Sequence, residues 1–242
     1  MKNPVFLISL ALVILFVVAG IVSPELLDTA TRSVHTAIID HFGWGYLLAA
    51  FGFLIFSLYI ALSKYGRIRL GGDDEKPQYS YFGWFSMLFA AGMGIGLIFW
   101  GVAEPLSHYL NPPSYITERS GDAAAFAMRY SFFHWGFHPW AIYIVMSLSI
   151  AYFSFRRGMP PLISSCFYPL IGERIYGWIG RGIDILAVFA TVFGIVTSLG
   201  LGALQINDGL ATVMPLPSGN TTTLILIAVV TVLYLISSST GL

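Results

Sequence analysis

Charge is scarce in this chain. Only 10% of its 242 residues are Asp, Glu, Lys or Arg, against roughly 25% in an ordinary soluble domain. That excludes a protein wetted on all sides. A basic excess is also missing: twelve basic residues balance twelve acidic ones, so there is no electrostatic footprint for nucleic acid. Cysteine is almost absent, and Cys166 alone excludes an internal disulfide framework.

What the chain does have is long apolar runs: 57% of residues are hydrophobic and the mean hydropathy is +0.78. Six stretches reach the roughly 20 residues that a membrane-crossing helix needs. They are Val5–Val22, Trp44–Leu62, Phe82–Ala103, Tyr130–Phe155, Ile183–Leu204 and Thr222–Ser237. Helix is expected over strand because backbone in lipid must satisfy its own hydrogen bonds, and the runs show no period of two. The fold class is therefore an all-α polytopic membrane protein with six transmembrane helices. The first run resembles a signal peptide in having Lys2 before it. Its apolar core is longer than the usual 7–15 residues and no small-x-small cleavage site follows, so it reads as a retained span.

Lys and Arg favour the cytoplasmic side of a membrane. With Lys2 inside and six spans, one side holds Lys2, Lys64, Arg67, Arg69, Lys76, Arg156, Arg157, Arg174 and Arg181, and the other Arg32, Arg119 and Arg129. That bias places both ends of the chain in the cytoplasm and agrees with an even number of spans. Residues 1–80 then form two N-terminal helices and a solvated loop, and residues 81–242 four more helices. Near 160–180, Pro160, Pro161 and Pro169 interrupt an apolar segment, which suits an amphipathic helix lying in the interface.

Two spans should be irregular. The third contains Ala90-Ala91-Gly92-Met93-Gly94-Ile95-Gly96, and each glycine costs a helix about 1 kcal/mol relative to alanine. The glycines fit close packing of a neighbouring helix. They fit equally an unwound stretch whose freed backbone meets an ion or substrate. The fourth span carries His134-Trp135-Gly136-Phe137-His138-Pro139-Trp140 and then Tyr143. On a continuous helix Trp135, Trp140 and Tyr143 share one face. Such a face suits a quaternary ammonium group, which has no proton to donate and is held by cation–π attraction; an interfacial aromatic belt is the other reading. His134 and His138 could present two imidazoles to a metal or haem, without a third ligand at a familiar spacing. Thr191, Thr197 and Ser198 place hydroxyls in the fifth span, and Glu104-Pro105 reads as the end of the third.

Three strings together resemble one family. They are Gly92-Met93-Gly94-Ile95-Gly96-Leu97 with Glu104-Pro105; His134-Trp135-Gly136 with Pro139-Trp140-Ala141-Ile142-Tyr143; and Thr191-Val192-Phe193-Gly194 running into Ser198-Leu199-Gly200-Leu201-Gly202-Ala203-Leu204-Gln205. Their order and placement are similar to the betaine/choline/carnitine transporters. The resemblance implies a leucine-transporter-like core of two inverted repeats behind two extra helices, assembled as a homotrimer in the bacterial inner membrane. On that pattern this chain holds the extra helices and most of the first repeat, with the second repeat absent. Gly92, Met93, Gly94 and Gly96, with Trp135, Trp140 and Tyr143, would contact substrate. Ala90, Met93 and Thr191 would contribute to ion sites. Two departures stand out. Ile195 occupies a position that is a second threonine in sodium-coupled members, and Gly96 one that is acidic in proton-coupled choline members.

The function expected from this resemblance is uptake of a betaine-like osmolyte, glycine betaine favoured, coupled to Na+ or H+. It involves no organic cofactor, no bound metal centre and no covalent chemistry. A haem or metal protein using His134 and His138, or a fragment with an interaction role alone, are the other classes to weigh.

Overall fold

The computed structural model describes residues 3–92, 94–214 and 219–240, apart from the side chains at 91, 92 and 95. Every regular element among them is helical. Helix α1, Pro4–Val22, starts from the Asn3 side chain, whose Oδ1 accepts from the Val5 N–H at 3.0 Å. It stops at Ser23 because Pro24 cannot continue an α-helical ladder. Pro24 opens α2, Pro24–Leu62, whose 39 residues span about 58 Å at 1.5 Å per residue. That is about twice the hydrocarbon thickness, so the apolar stretch Trp44–Leu62 is the crossing part. The preceding turns carry Asp28, Arg32, His35 and Asp40, with an exposed Arg32–Asp28 pair at 2.8 Å.

The third apolar segment is not one helix. It is α3 (Tyr81–Gly92), a single turn α4 (Ile95–Ile98), and α5 (Trp100–Leu110). Pro105 lies inside α5 and does not end it, contrary to the sequence expectation. At the sixth of eleven residues it removes one interior ladder bond, and the helix continues for another turn. The fourth segment is likewise divided, into α6 (Gly121–His134) and α7 (Phe137–Ala151), the latter ending in a π-helical turn at Tyr152–Arg156. Between there and α9 come short pieces only: 3₁₀ turns at Ile163–Phe167 and Gly172–Tyr176 flanking α8, Tyr168–Ile171. One amphipathic helix was expected here. Gly172, at φ +56°, breaks it. Helix α9 runs Trp178–Val213 and α10 Asn220–Thr240.

Five of these stretches are long and apolar enough to cross a membrane, counting Gly121–Arg156 as one, and Tyr81–Ala90 is a shorter apolar helix. The six apolar segments of the sequence thus all appear. The third falls short because its helix is interrupted. Most large apolar side chains are exposed, Leu15, Ile21 and Val22 among them, as expected of surfaces that meet lipid. The molecule is an all-α polytopic membrane protein.

The chain divides into two compact units. One comprises Met1–Lys76 and Phe132–Ala190, the other Pro77–Ser131 and Thr191–Leu242. In the first, α2 packs along α7, with the Phe51 ring 6.2 Å from that of His138. The loop after α2 is clipped to the end of the π turn. Arg156 Nη1 donates to Asp73 Oδ1 at 2.6 Å and to the Gly71 carbonyl at 3.0 Å. The guanidinium holds the Asp73 carboxyl below its usual range, chiefly through that hydrogen bond. A lowered folded pKa means that the clip is present above the ordinary carboxylate range and is lost as pH falls through the lowered value. A spin label at position 74 should therefore be restrained at pH 7 and freed well below about pH 4. Asp73→Asn should free it at pH 7; equal mobility in both proteins would remove the clip.

The same unit holds a buried carboxylate. Asp184 stands on α9, which begins six residues earlier, at Trp178. Its carboxylate turns to the 3₁₀ segment, accepting from the Ser164 N–H at 3.0 Å and the Ser164 hydroxyl at 2.8 Å. Both residues are buried. Gly180 permits the packing beside it, since a Cβ there would collide with the Ile175 carbonyl. Ser164→Ala leaves one carboxylate oxygen without that donor, and should cost about 1–3 kcal/mol. Thermal unfolding of the detergent-solubilised protein measures it, and an unchanged midpoint would show the contact to be idle.

Candidate functional site

Both interruptions fall on the motifs singled out above. Helix α3 ends at Gly92 and α4 begins at Ile95, with Gly94 in a bend between them. The Gly94 carbonyl starts the new turn, accepting from Leu97 N at 3.1 Å and Ile98 N at 3.2 Å. Among the described residues, a Cβ on Gly94 would meet nothing within 4 Å. A helix terminus leaves its last carbonyls without ladder partners, and Ala90 lies in that last turn of α3. Gly96 sits within α4, and Met93 lies outside the described residues.

In the same unit, Gln205 on α9 reaches back to this region. Its Nε2 donates to the Ile98 carbonyl at 3.3 Å, at the end of α4. Sequence reasoning quoted Gln205 only as part of a string; an amide inside an apolar run was the available signal. Thr191 lies on α9, one of the residues of its second unit. Thr197 spends its hydroxyl on its own helix, donating to the Phe193 carbonyl at 2.8 Å.

The second interruption is at Trp135-Gly136. Gly136 is forced by close approach, because a Cβ would lie 2.7 Å from the Phe132 carbonyl oxygen. Pro139 falls in the first turn of α7, where its missing N–H would have had no ladder partner anyway. The break changes the geometry expected of the three aromatics. Trp140 and Tyr143 share a face of α7, ring centroids 6.0 Å apart at 48°. Trp135 stands in the break itself, its ring 5.2 Å from His134, so the angles of a continuous helix do not relate it to the other two. Trp135, Trp140 and Tyr143 are 42%, 50% and 69% exposed. Trp140 and Tyr143 form an open wall, able to take a ligand on one side.

The histidines do not stand as a helical pair either, since the break falls between them. His138 packs on Phe133 at 4.8 Å and on Phe51. Among the described residues no group of three or more His, Cys, Asp or Glu is placed to hold a metal ion.

A family model described as the BCCT, betaine/carnitine/choline family transporter, matches residues 4–242. The chain belongs to the BCCT family. It is 50% identical over 241 residues to a probable glycine betaine transporter of Desulfitobacterium hafniense, covering 100% of this chain and 48% of the relative. It is also 50% identical to the glycine betaine transporter OpuD of Bacillus subtilis, covering 99% and 47%. An ectoine/hydroxyectoine transporter of Virgibacillus pantothenticus is 45% identical, covering 100% and 48%. The BCCT chain spans about half the length of the curated relatives it matches. Its family is one of transporters and not of enzymes, and its apolar helices make it a multi-pass membrane protein.

Proposed function

We propose that this chain is the first half of a secondary transporter that takes up glycine betaine, or a closely related zwitterion, across a bacterial plasma membrane. The observation that carries the reading is the coincidence of both helix interruptions, between Gly92 and Ile95 and at Trp135-Gly136, with the two strings that resemble the substrate-binding strings of the family. Broken helices at membrane depth are tolerated where their backbone lines a cavity. The half-exposed Trp140 and Tyr143 rings offer π-faces to a methylated ammonium. The names of relatives at 50% identity, both glycine betaine transporters, favour that substrate.

In this reading Gly92, Met93, Gly94 and Gly96 border the substrate with Trp135, Trp140 and Tyr143. Backbone at Ala90 and Met93, and the Thr191 hydroxyl, supply parts of cation sites, completed by a second repeat. The coupling ion is Na+, which would stabilise the loadable state by binding it more tightly than the other. Ile195, lacking a hydroxyl, is the observation that favours H+ instead. Both ends of this chain face the cytoplasm, and the complete protein is a homotrimer. The test is uptake of radiolabelled glycine betaine by the full-length protein in proteoliposomes under imposed ion gradients. Saturable uptake driven by sodium supports the whole reading. Uptake driven by a proton gradient alone replaces the ion, and no uptake of any quaternary ammonium compound overturns the substrate.

A further inference from the structure

A second place in the chain has the chemistry of a zwitterion site. A cleft of about 370 Å³ lies between α6 and the connection that precedes it, lined by Tyr115, Thr117, Asp122, Phe126, Arg129 and Tyr130 among others. Asp122, Phe126, Arg129 and Tyr130 follow the spacing of one helix face. The two charges stand two turns apart, about 10 Å along the axis. Neither the Asp122 nor the Arg129 side chain forms an ion pair or hydrogen bond with another described residue. In a chain so poor in charge, two exposed and opposite charges on one cleft are a concentrated feature.

The aromatic floor between them is fixed. Phe126 and Tyr130 stack at 4.1 Å and 28°. His108 of α5 backs both, edge-on to Phe126 at 5.9 Å and 6.1 Å from Tyr130. Its Nε2 is 3.5 Å from Oε1 of the buried Glu104. The connection is also set in place. The Tyr109 hydroxyl donates to the Arg119 carbonyl at 2.9 Å, and the Arg119 N–H returns to the Tyr109 carbonyl at 3.2 Å. Ser120 caps α6, its hydroxyl oxygen accepting from the Ala123 N–H at 3.1 Å. A preset wall loses little entropy on binding.

Asp122 repels a simple anion and Arg129 a simple cation. A molecule carrying a carboxylate at one end and a methylated ammonium at the other satisfies both. We propose that this cleft is a capture site for zwitterionic ammonio-carboxylates, on the side of the membrane opposite the Lys- and Arg-rich loops. The Arg129 guanidinium takes the carboxylate, while Asp122 and the exposed Tyr115 and Tyr130 rings, the latter backed by the buried Phe126, take the ammonium. The proposal rests on the betaine-transport reading and adds a site that is distinct from the Trp140–Tyr143 wall.

The test is uptake of glycine betaine by the full-length transporter and its variants in proteoliposomes, with the substrate added from the cleft side. Arg129→Gln should raise the half-saturating concentration about tenfold with the maximal rate retained, the loss of one charge-assisted contact. Asp122→Asn should raise it about threefold, the smaller loss expected where aromatic faces still hold the ammonium. Arg129→Lys, keeping the charge, should stay near wild type. Unchanged half-saturation in Arg129→Gln and Asp122→Asn overturns the site. So does a fall in maximal rate alone, or a Lys variant as poor as the Gln variant, because either marks a structural role. Should Arg129→Gln fail to insert, Asp122→Asn and Arg129→Lys decide by the same criteria. A wild-type protein that takes up no ammonio-carboxylate would overturn the underlying reading, and this site with it; intact wild-type uptake with indifferent variants overturns the site alone.

Discussion

Trp140→Ala in the full-length transporter should raise the half-saturating concentration of glycine betaine about 30-fold, the equivalent of about 2 kcal/mol for one desolvated cation–π contact. The prediction rests on the pairing of Trp140 with Tyr143, 6.0 Å apart on one helix and each with an open face. Trp140→Phe keeps a weaker π-face and should fall between wild type and the alanine variant. Thermal unfolding separates lost binding from lost structure: a half-exposed ring on a lipid-embedded helix contributes little to the fold of this chain alone. Unaltered half-saturation in Trp140→Ala would remove this wall from the site.

Gly136→Ala is expected to be at least as damaging by a different route. The added methyl would sit 2.7 Å from the Phe132 carbonyl oxygen, and that neighbour is backbone, not the yielding tip of a side chain. Either the end of α6 or the start of α7 must shift. Trp135 stands in the break and Trp140 follows within the first turns of α7, so the shift changes how the two rings are presented. A displacement near 1 Å at a site of this kind costs on the order of a hundredfold in rate. The control is Gly182→Ala, where a Cβ would meet nothing within 4 Å and helix propensity favours alanine. Transport close to wild type in Gly136→Ala would mean that the break is not what positions the aromatics.

Much of this architecture is written plainly in the chain. A composition with so little charge admits few folds outside a membrane, and each apolar run became helix because no other element is self-satisfied in lipid. The alternate glycines from Gly92 to Gly96 announced trouble for the third helix, and α3 does end there. Other features were hidden for physical reasons. The first half of α2 is polar enough to pass for a loop, yet holds no Gly or Pro between Glu25 and Phe42 to stop a helix. The irregularity expected of the fourth span is present at Trp135-Gly136, where the nearby Phe132 carbonyl leaves no room for a Cβ on Gly136. Pro139, which with Gly136 was expected to disturb the helix, proves to be an ordinary first-turn proline.

The site was less legible than the fold. Residue types pointed to Trp140 and Tyr143 correctly as neighbours, because both lie on one unbroken helix and spacing suffices there. Trp135 was related to them by helical angles that a break invalidates. Gln205 and Asp184 were undervalued for a common reason. Each acts at a distance in sequence, Gln205 on the Ile98 carbonyl and Asp184 on Ser164, and no local pattern encodes such a partner. Asp122 and Arg129 drew attention only as counted charges; the cleft that unites them needs the connection before α6 to be folded.

The central claim is that the aromatic wall recognises positive charge and not merely shape. The most direct measurement is competition against uptake of labelled glycine betaine by the full-length protein. The competitors are unlabelled glycine betaine and 3,3-dimethylbutanoate, its carbon isostere, which keeps the carboxylate and the three methyl groups but lacks the cationic nitrogen. Cation–π recognition predicts that glycine betaine competes at least tenfold better than the isostere. Equal competition by the two would contradict the account, leaving a hydrophobic pocket of the right size where a cation site has been argued.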